Sequence, residues 1–217
     1  MNVHSKIAER TRRGRPLVDD KRRKLLDAAL RVFAARGYDG TSVPEVAKAA
    51  DVAVGSVYHY FRDKEALVNE VYRDAKTRLR AALLDDLAPL DADAPKRWFD
   101  DLWGRLASFA DAEPEAFRFL EMQDHAPYLD AKSREVELSV LVPLYTSGQR
   151  LAQRGRPRAG EASLDVLIAL LWGAFVGLVK AGRLGYLRVD ARRLAEARDA
   201  CWRMVEPIAS RSRNRKG

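Results

Sequence analysis

The chain holds a single cysteine, Cys201, in 217 residues, which excludes an internal disulfide and any multi-cysteine metal site. Its three histidines, His4, His59 and His125, are too scattered to form a metal motif. No stretch shows the alternation of β-branched residues that marks strands. Catalytic motifs are missing as well: there is no G-x-S-x-G, no phosphate-cradling glycine loop and no H-E-x-x-H. The acidic pairs Asp85-Asp86 and Asp100-Asp101 sit at adjacent helix positions, so their carboxylates diverge. We therefore expect no enzyme, no cofactor and no metal. The N-terminus carries no apolar leader, and the longest apolar run, Val166 to Val179, has fourteen residues between Asp165 and Lys180. A bilayer needs about twenty. That run reads as a buried helix of a cytoplasmic protein with no membrane partner.

What remains is a chain with 47% hydrophobic residues, enough for a core, and helical periodicity throughout. The fold class expected is all-α. The net charge of +8 is unevenly placed: +6 over residues 1–24, +1 over 25–80, −3 over 81–210 and +4 over 211–217. A basic N-terminal segment before a slightly acidic body is an electrostatic footprint for nucleic acid.

The informative stretch is Thr41 to Lys64, TSVPEVAKAADVAVGSVYHYFRDK. Ser42 and Glu45 have capping-box spacing, and Pro44 suits a first helical turn. The first short helix ends near Asp51, a residue type that tolerates a left-handed turn. In the second, about Val54 to Phe61, Val57 and Phe61 can bury together, leaving Gly55, Ser56, Tyr58, His59 and Tyr60 around the other faces. Hydroxyl, phenol, imidazole and glycine suit phosphates and base edges, and a turn of about three residues is helix-turn-helix spacing. Before the motif, Leu26, Ala29, Leu30 and Phe33 make the apolar face of a helix from about Asp20 to Arg36, with Gly37 as its cap. Arg13-Gly14-Arg15-Pro16 resembles the core of an AT-hook, which would lay Arg13 and Arg15 in a minor groove; a solvated basic tail is the alternative. The same four residues recur at Arg154 to Pro157.

The segment Leu25 to Leu67 resembles the DNA-binding domain of the tetracycline-repressor (TetR) family of bacterial transcription regulators. FAARGY, TSV, VAVGSVYHYF and DKEAL come in that family's order. The resemblance implies an N-terminal three-helix DNA-binding domain and a C-terminal helical domain for ligand binding and dimerisation. It implies phosphate contacts at Ser56, Tyr58 and Lys64, and base edges or their surroundings at Val54, Gly55 and His59. Ser42 and Tyr60 join the candidate DNA contacts. Two departures stand out: Asp51 replaces the usual turn glycine, and Ala53 stands where a capping Ser or Thr is common.

The domains expected are a flexible basic arm over 1–18, the helix-turn-helix domain over 19–66, a helical effector-binding and dimerisation domain over 67–210, and a basic tail over 211–217. Asp63 is the expected N-cap of helix four. The body reads as helices near 95–110, 114–124, 132–154, 161–182 and 190–209. Helix eight is apolar nearly all round and carries Gly173, Gly177 and Ala181 as a smooth strip. Burial within the protomer or a two-fold interface would cover it; the resemblance implies the interface, with Ala195, Trp202 and Val205 joining it. Candidate residues for an effector pocket are Trp98, Trp103, Phe117, Met122, His125, Tyr128, Tyr145, Trp172 and Phe175, with His125 and Tyr128 as its polar contacts. The partners expected are double-stranded DNA, a second copy of the chain and a small apolar molecule that releases a repressor from a pseudo-palindromic operator. A ligand-independent DNA-organising protein with a solid C-terminal core is the alternative.

Overall fold

The protein is described by a computed structural model that covers residues 3–91, 93–152 and 162–209, with side chains from residue 20 onward except 151, 152 and 208. The RGRP copy at Arg154 and the tail over 211–217 lie outside the described residues. The described residues form nine α-helices and no strand: α1 Val3–Arg36, α2 Val43–Ala49, α3 Val54–Tyr60, α4 Lys64–Leu84, α5 Pro95–Ala112, α6 Pro114–Glu121, α7 Ala131–Ala152, α8 Leu164–Arg183 and α9 Ala191–Ala209. The chain is all-α, an N-terminal helix-turn-helix followed by a helical C-terminal domain.

Beyond α1, the helices match the periodicity to within a few residues. The start of α1 does not. The backbone expected as a flexible arm is helical from Val3, and a helix cannot offer the flat extended edge a minor-groove hook needs. Ala8, Glu9 and the surrounding arginines are good helix formers, which here outweigh Gly14 and Pro16. The side chains of Arg13 and Arg15 lie outside the described residues.

The chain divides into two compact units: residues up to 75 together with 115–133, and residues 76–114 together with those from 134 onward. This differs from the expected break after residue 66, because 115–133 belongs with the helix-turn-helix. In the first unit, α1 buries Leu26, Ala29, Leu30 and Phe33, the stripe its spacing predicts, and Leu25 beside it. Gly37 caps it at φ +75°, its N–H donating to Phe33 O at 2.8 Å. Two side chains from the 115–133 segment satisfy carbonyls of the same helix end: Gln123 Nε2 donates to Phe33 O at 2.8 Å, and the Arg118 guanidinium to Ala35 O at 3.1 Å.

The segment is fixed to α4 through Asn69, which is 1% exposed amid Leu67, Val68, Val71 and Tyr72. Its Nδ2 donates to Glu65 O at 3.0 Å and Tyr128 O at 2.8 Å. Its Oδ1 accepts from the Asp130 N–H at 2.9 Å and the Ser133 hydroxyl at 2.7 Å. Arg73 reinforces the junction by donating to Glu70, Asp130 and Ser133 Oγ. An amide whose donors and acceptor are all used can be buried without penalty.

In the second unit, α5 places Trp103, Leu106 and Phe109 inward, and α9 places Cys201, Trp202, Val205 and Ala209 inward. Burial pushes the Cys201 thiol pKa up, so it behaves as a small apolar residue. Lys96 and Arg198 pair with Asp100 and Asp199 between α5 and α9. Arg105 donates to Asp85 O at 2.7 Å and Asp86 O at 3.0 Å just past the end of α4.

Two expectations are corrected here. Trp202 and Val205 face the interior of the protomer, so they do not join an exposed surface. Helix eight is buried on one face only: Leu167 and Phe175 point inward, while Val166, Leu170, Gly173 and Gly177 lie exposed along another. By length and composition α8 could cross a membrane, since its twenty residues extend past the apolar run.

Asn69→Ala removes the shared partner of four groups and strands several of them in the interior. It should lower the unfolding free energy by about 3 kcal/mol, read from urea denaturation followed by circular dichroism.

Candidate DNA interface and ligand cavity

The helix-turn-helix is built by local rules. At the start of α2 the Ser42 N–H and hydroxyl both donate to the Glu45 carboxylate, each at 2.9 Å, and Arg36 pairs with the same carboxylate. The Ser42 backbone bond, more than any other interaction, holds the Glu45 pKa below its ordinary value. The turn after α2 passes through Asp51 at φ +54°, the left-handed geometry its residue type predicts. The N-cap of α3 is Ala53, which offers no side-chain bond to the helix start, as its sequence implies. Asp63 caps α4, its carboxylate accepting the Ala66 N–H at 2.7 Å, the main cause of its lowered pKa.

On α3, Val57 and Phe61 are buried together, which turns the opposite face outward. Val54, Gly55, Tyr58 and His59 are exposed there, with Ser56 and Tyr60 half-buried at the edges. Tyr58 is 52% exposed, so it is a surface residue and not core. The His59 and Tyr60 rings meet edge to face at 5.3 Å. A Cβ added at Gly55 would meet nothing within 4 Å, so the protomer's own packing does not require glycine there. Ser42 is exposed at the start of α2.

Lys64 is the exception among the candidate contacts. Its ammonium donates to Tyr38 O at 3.0 Å and Thr41 O at 3.2 Å, and lies 4.0 Å from the centre of the Tyr38 ring. Two of its three N–H donors are used on carbonyls and its charge sits over a π face, so it fastens the loop before α2. Only a long-range partner could reveal that role, and a first-turn lysine shows none in sequence.

The candidate pocket residues separate. Trp98, Trp103, Trp172 and Phe175 line a cavity of about 140 Å³ in the second unit, together with Phe99, Leu102, Leu106, Ile168 and Trp202. On α7, Leu144 and Gly148 also line it, just beyond Pro143. Among the described residues, no charged side chain contributes. Sequence reasoning missed Phe99 and Trp202. The helical spacing of Phe99, Trp103 and Leu106 was the available signal, and Trp202 was misplaced on a dimer surface.

His125, Tyr128, Phe117 and Met122 belong to the first unit, not to this cavity. His125 and Tyr128 do converge, but as buried structural partners. The Phe119 carbonyl can only accept, so His125 Nε2–H donates to it at 2.6 Å, and Nδ1 accepts from the Tyr128 hydroxyl at 2.6 Å. Tyr72 and Phe119 pack edge-on around the imidazole, at 5.0 and 4.7 Å. Tyr128 also stacks on Tyr38 at 4.4 Å, and burial pushes its pKa up to about 12. Phe117 is packed core. Tyr145 is exposed on α7 and donates to Asp165 at 3.2 Å.

Comparison with known proteins agrees with this architecture. Residues 25–71 match the family described as bacterial regulatory proteins, tetR family, and residues 73–207 match the tetracyclin repressor-like C-terminal domain. The HTH-type transcriptional regulator BetI of Escherichia coli O127:H6 is 27% identical over 156 residues, covering 70% of this chain and 80% of that protein. A TetR family transcription regulator from Marinobacter aquaeolei VT8 shares the fold with a TM-score of 0.75 at 23% identity, over 88% of this chain and 97% of that one. The transcriptional regulator FadR from Bacillus subtilis, solved in complex with stearoyl-CoA, shares it with a TM-score of 0.60 at 19% identity, over 87% and 97%.

The raised Tyr128 pKa has a signed consequence. The folded state holds this proton more tightly than the unfolded chain, whose phenol titrates near the ordinary value of 10.0. The stabilisation is complete below pH 10 and is lost as pH rises through about 12. Unfolding free energies of wild type and Tyr128→Phe, measured across that window, should converge as pH rises.

Proposed function

Because the chain belongs to the tetR family of bacterial regulatory proteins and is a DNA-binding transcriptional regulator, we propose that it is a homodimeric repressor released from its operator by a small apolar ligand. The exposed face of α3 carries this reading: Val54, Gly55, Tyr58 and His59 point outward while Val57 and Phe61 anchor the helix. Ser42, Ser56 and Tyr58 contact phosphates, and Val54, Gly55 and His59 face the base edges, with Tyr60 at the margin. Open space at Gly55 supports close approach of the duplex, since none of the described residues fills it. Lys64 acts indirectly by holding the Tyr38–Thr41 loop.

A second copy covers the exposed apolar strip of α8, where Val166, Leu170, Gly173 and Gly177 follow helical spacing and the two glycines leave room for a close helix crossing. On α7, Leu138, Leu141 and Val142 extend the apolar surface. Dimerisation spaces two α3 helices about 34 Å apart to read a pseudo-palindrome. A ligand in the second unit's cavity shifts the dimer toward a state with the wrong spacing, by no more than its differential affinity for the two states. That a FadR relative holds stearoyl-CoA supports a ligand in this body. At about 140 Å³ the cavity suits a much smaller guest, and its presence argues against a solid-core DNA-organising protein.

Selection of bound fragments from genomic DNA with the purified protein tests the core of the reading. Inverted half-sites are the expected result, and no enrichment would refute it. Gly55→Ala should raise stability by about 0.5–1 kcal/mol, since Ala replaces Gly inside a helix, yet weaken operator binding about tenfold or more. Equal affinity by fluorescence anisotropy would show that α3 does not meet DNA at this position. Leu170→Lys should convert the dimer to a folded monomer in sedimentation velocity and weaken operator binding with it.

A further inference from the structure

The recognition chemistry of α3 is defined by what the helix omits. Its sequence, VGSVYHY, contains no Arg, Lys, Asn, Gln, Asp or Glu. Those are the residues that tell bases apart by hydrogen bonds in a major groove: Arg or Lys at guanine, Asn or Gln at adenine, Asp or Glu at cytosine. Val57 is 1% exposed while Val54, one turn earlier, is 38% exposed, so the isopropyl group of Val54 faces away from the core. Residues four apart share a face, which pairs Val54 with Tyr58 and Gly55 with His59. Next to Val54, a Cβ added at Gly55 would meet nothing within 4 Å. The surface there is a pair of valine methyls beside bare backbone.

Resting on the reading that this face meets a major groove, we infer that α3 selects thymine: in each half-site a thymine 5-methyl group packs against Val54 beside Gly55. Thymine is the base that presents a methyl group in the major groove, and apolar side chains are what read it. Cytosine has no methyl at that carbon, and its amino group set against Val54 would give up water without gaining a partner. The absent side chain at Gly55 lets the base edge come close enough for the contact. Among Val54, Gly55 and His59, only His59 has a side chain that hydrogen-bonds, which leaves the rest of their discrimination to the methyl contact. Burying one methyl is worth about fourfold in affinity.

The operator recovered by genomic selection supplies the probe. Deoxyuridine differs from thymidine only in lacking the 5-methyl group and keeps its hydrogen-bonding edge, so each thymine of a half-site is replaced by uracil in turn and binding of the full-length protein is followed by fluorescence anisotropy. Replacement at one position in a half-site should weaken the wild type about fourfold, and the symmetric position of the other half-site should behave alike. Val54→Ala, which removes the two outward methyls, should bind the thymine and uracil operators equally. Ser56→Ala, which removes a phosphate contact, should weaken both operators and keep the uracil penalty. Uracil tolerated at every thymine overturns the inference, as does a half-site without thymine or a penalty that persists undiminished in Val54→Ala. If that variant does not fold, the uracil scan on the wild type still decides. A protein that enriches no inverted half-sites refutes the reading of α3 and the inference with it; one that enriches them and ignores uracil refutes only the selection of thymine.

Discussion

A seven-residue helix has almost no stability of its own. Isolated helices shorter than about twelve residues are marginal in water, and α3, with an alanine as its cap, lacks even the usual side-chain bond at its start. Its conformation is therefore imposed by burial of Val57 and Phe61 on one side. The rest of the first unit can be understood from that requirement. α2 packs on α1 and against α3, Asp51 sets the chain direction into α3, and Lys64 locks the loop that leads into α2. Val54, Tyr58 and His59 can then be displayed outward, because burial of Val57 and Phe61 and not of these side chains holds the helix.

How much of this was legible depended on the reach of each interaction. Features decided within about five residues were readable from the chain: the Gly37 cap, the left-handed turn at Asp51, the Val57–Phe61 pair, the uncapped Ala53 and the Asp63 cap. Features decided by partners far away in sequence were not. Lys64 carries the right charge at the right place for a phosphate, but its nearest acceptors are carbonyls 26 and 23 residues upstream. His125 and Tyr128 have the polar tips of a ligand site, and nothing in QDHAPYL says that the Phe119 carbonyl and their bond to each other use them first. Asn69 was overlooked for the same reason, although a lone amide in the apolar run of α4 was a usable signal.

The two units differ in how their interiors are built. In the first, Asn69, His125 and Ser133 each have defined partners, which fixes geometry at the cost of adaptability. In the second, the interior is aromatic and aliphatic, loosely filled around a cavity, with Trp103 Nε1 left unsatisfied. Tight polar matching suits a surface that must present one shape to a duplex. A soft apolar interior suits a space that accepts a guest.

The chain passes between the units three times, at 75–76, 114–115 and 133–134. The first unit is consequently not a contiguous stretch of sequence, and the border between the two family domains, near residue 72, falls inside it. A regulator assembled by joining this N-terminal domain to another protein's body at that border would inherit α1 without Gln123 and Arg118 over its terminal carbonyls, and Asn69 without Asp130 and Ser133. Exchange of DNA-binding heads among such proteins is thereby constrained: the head travels intact only if the 115–133 segment of the body travels with it.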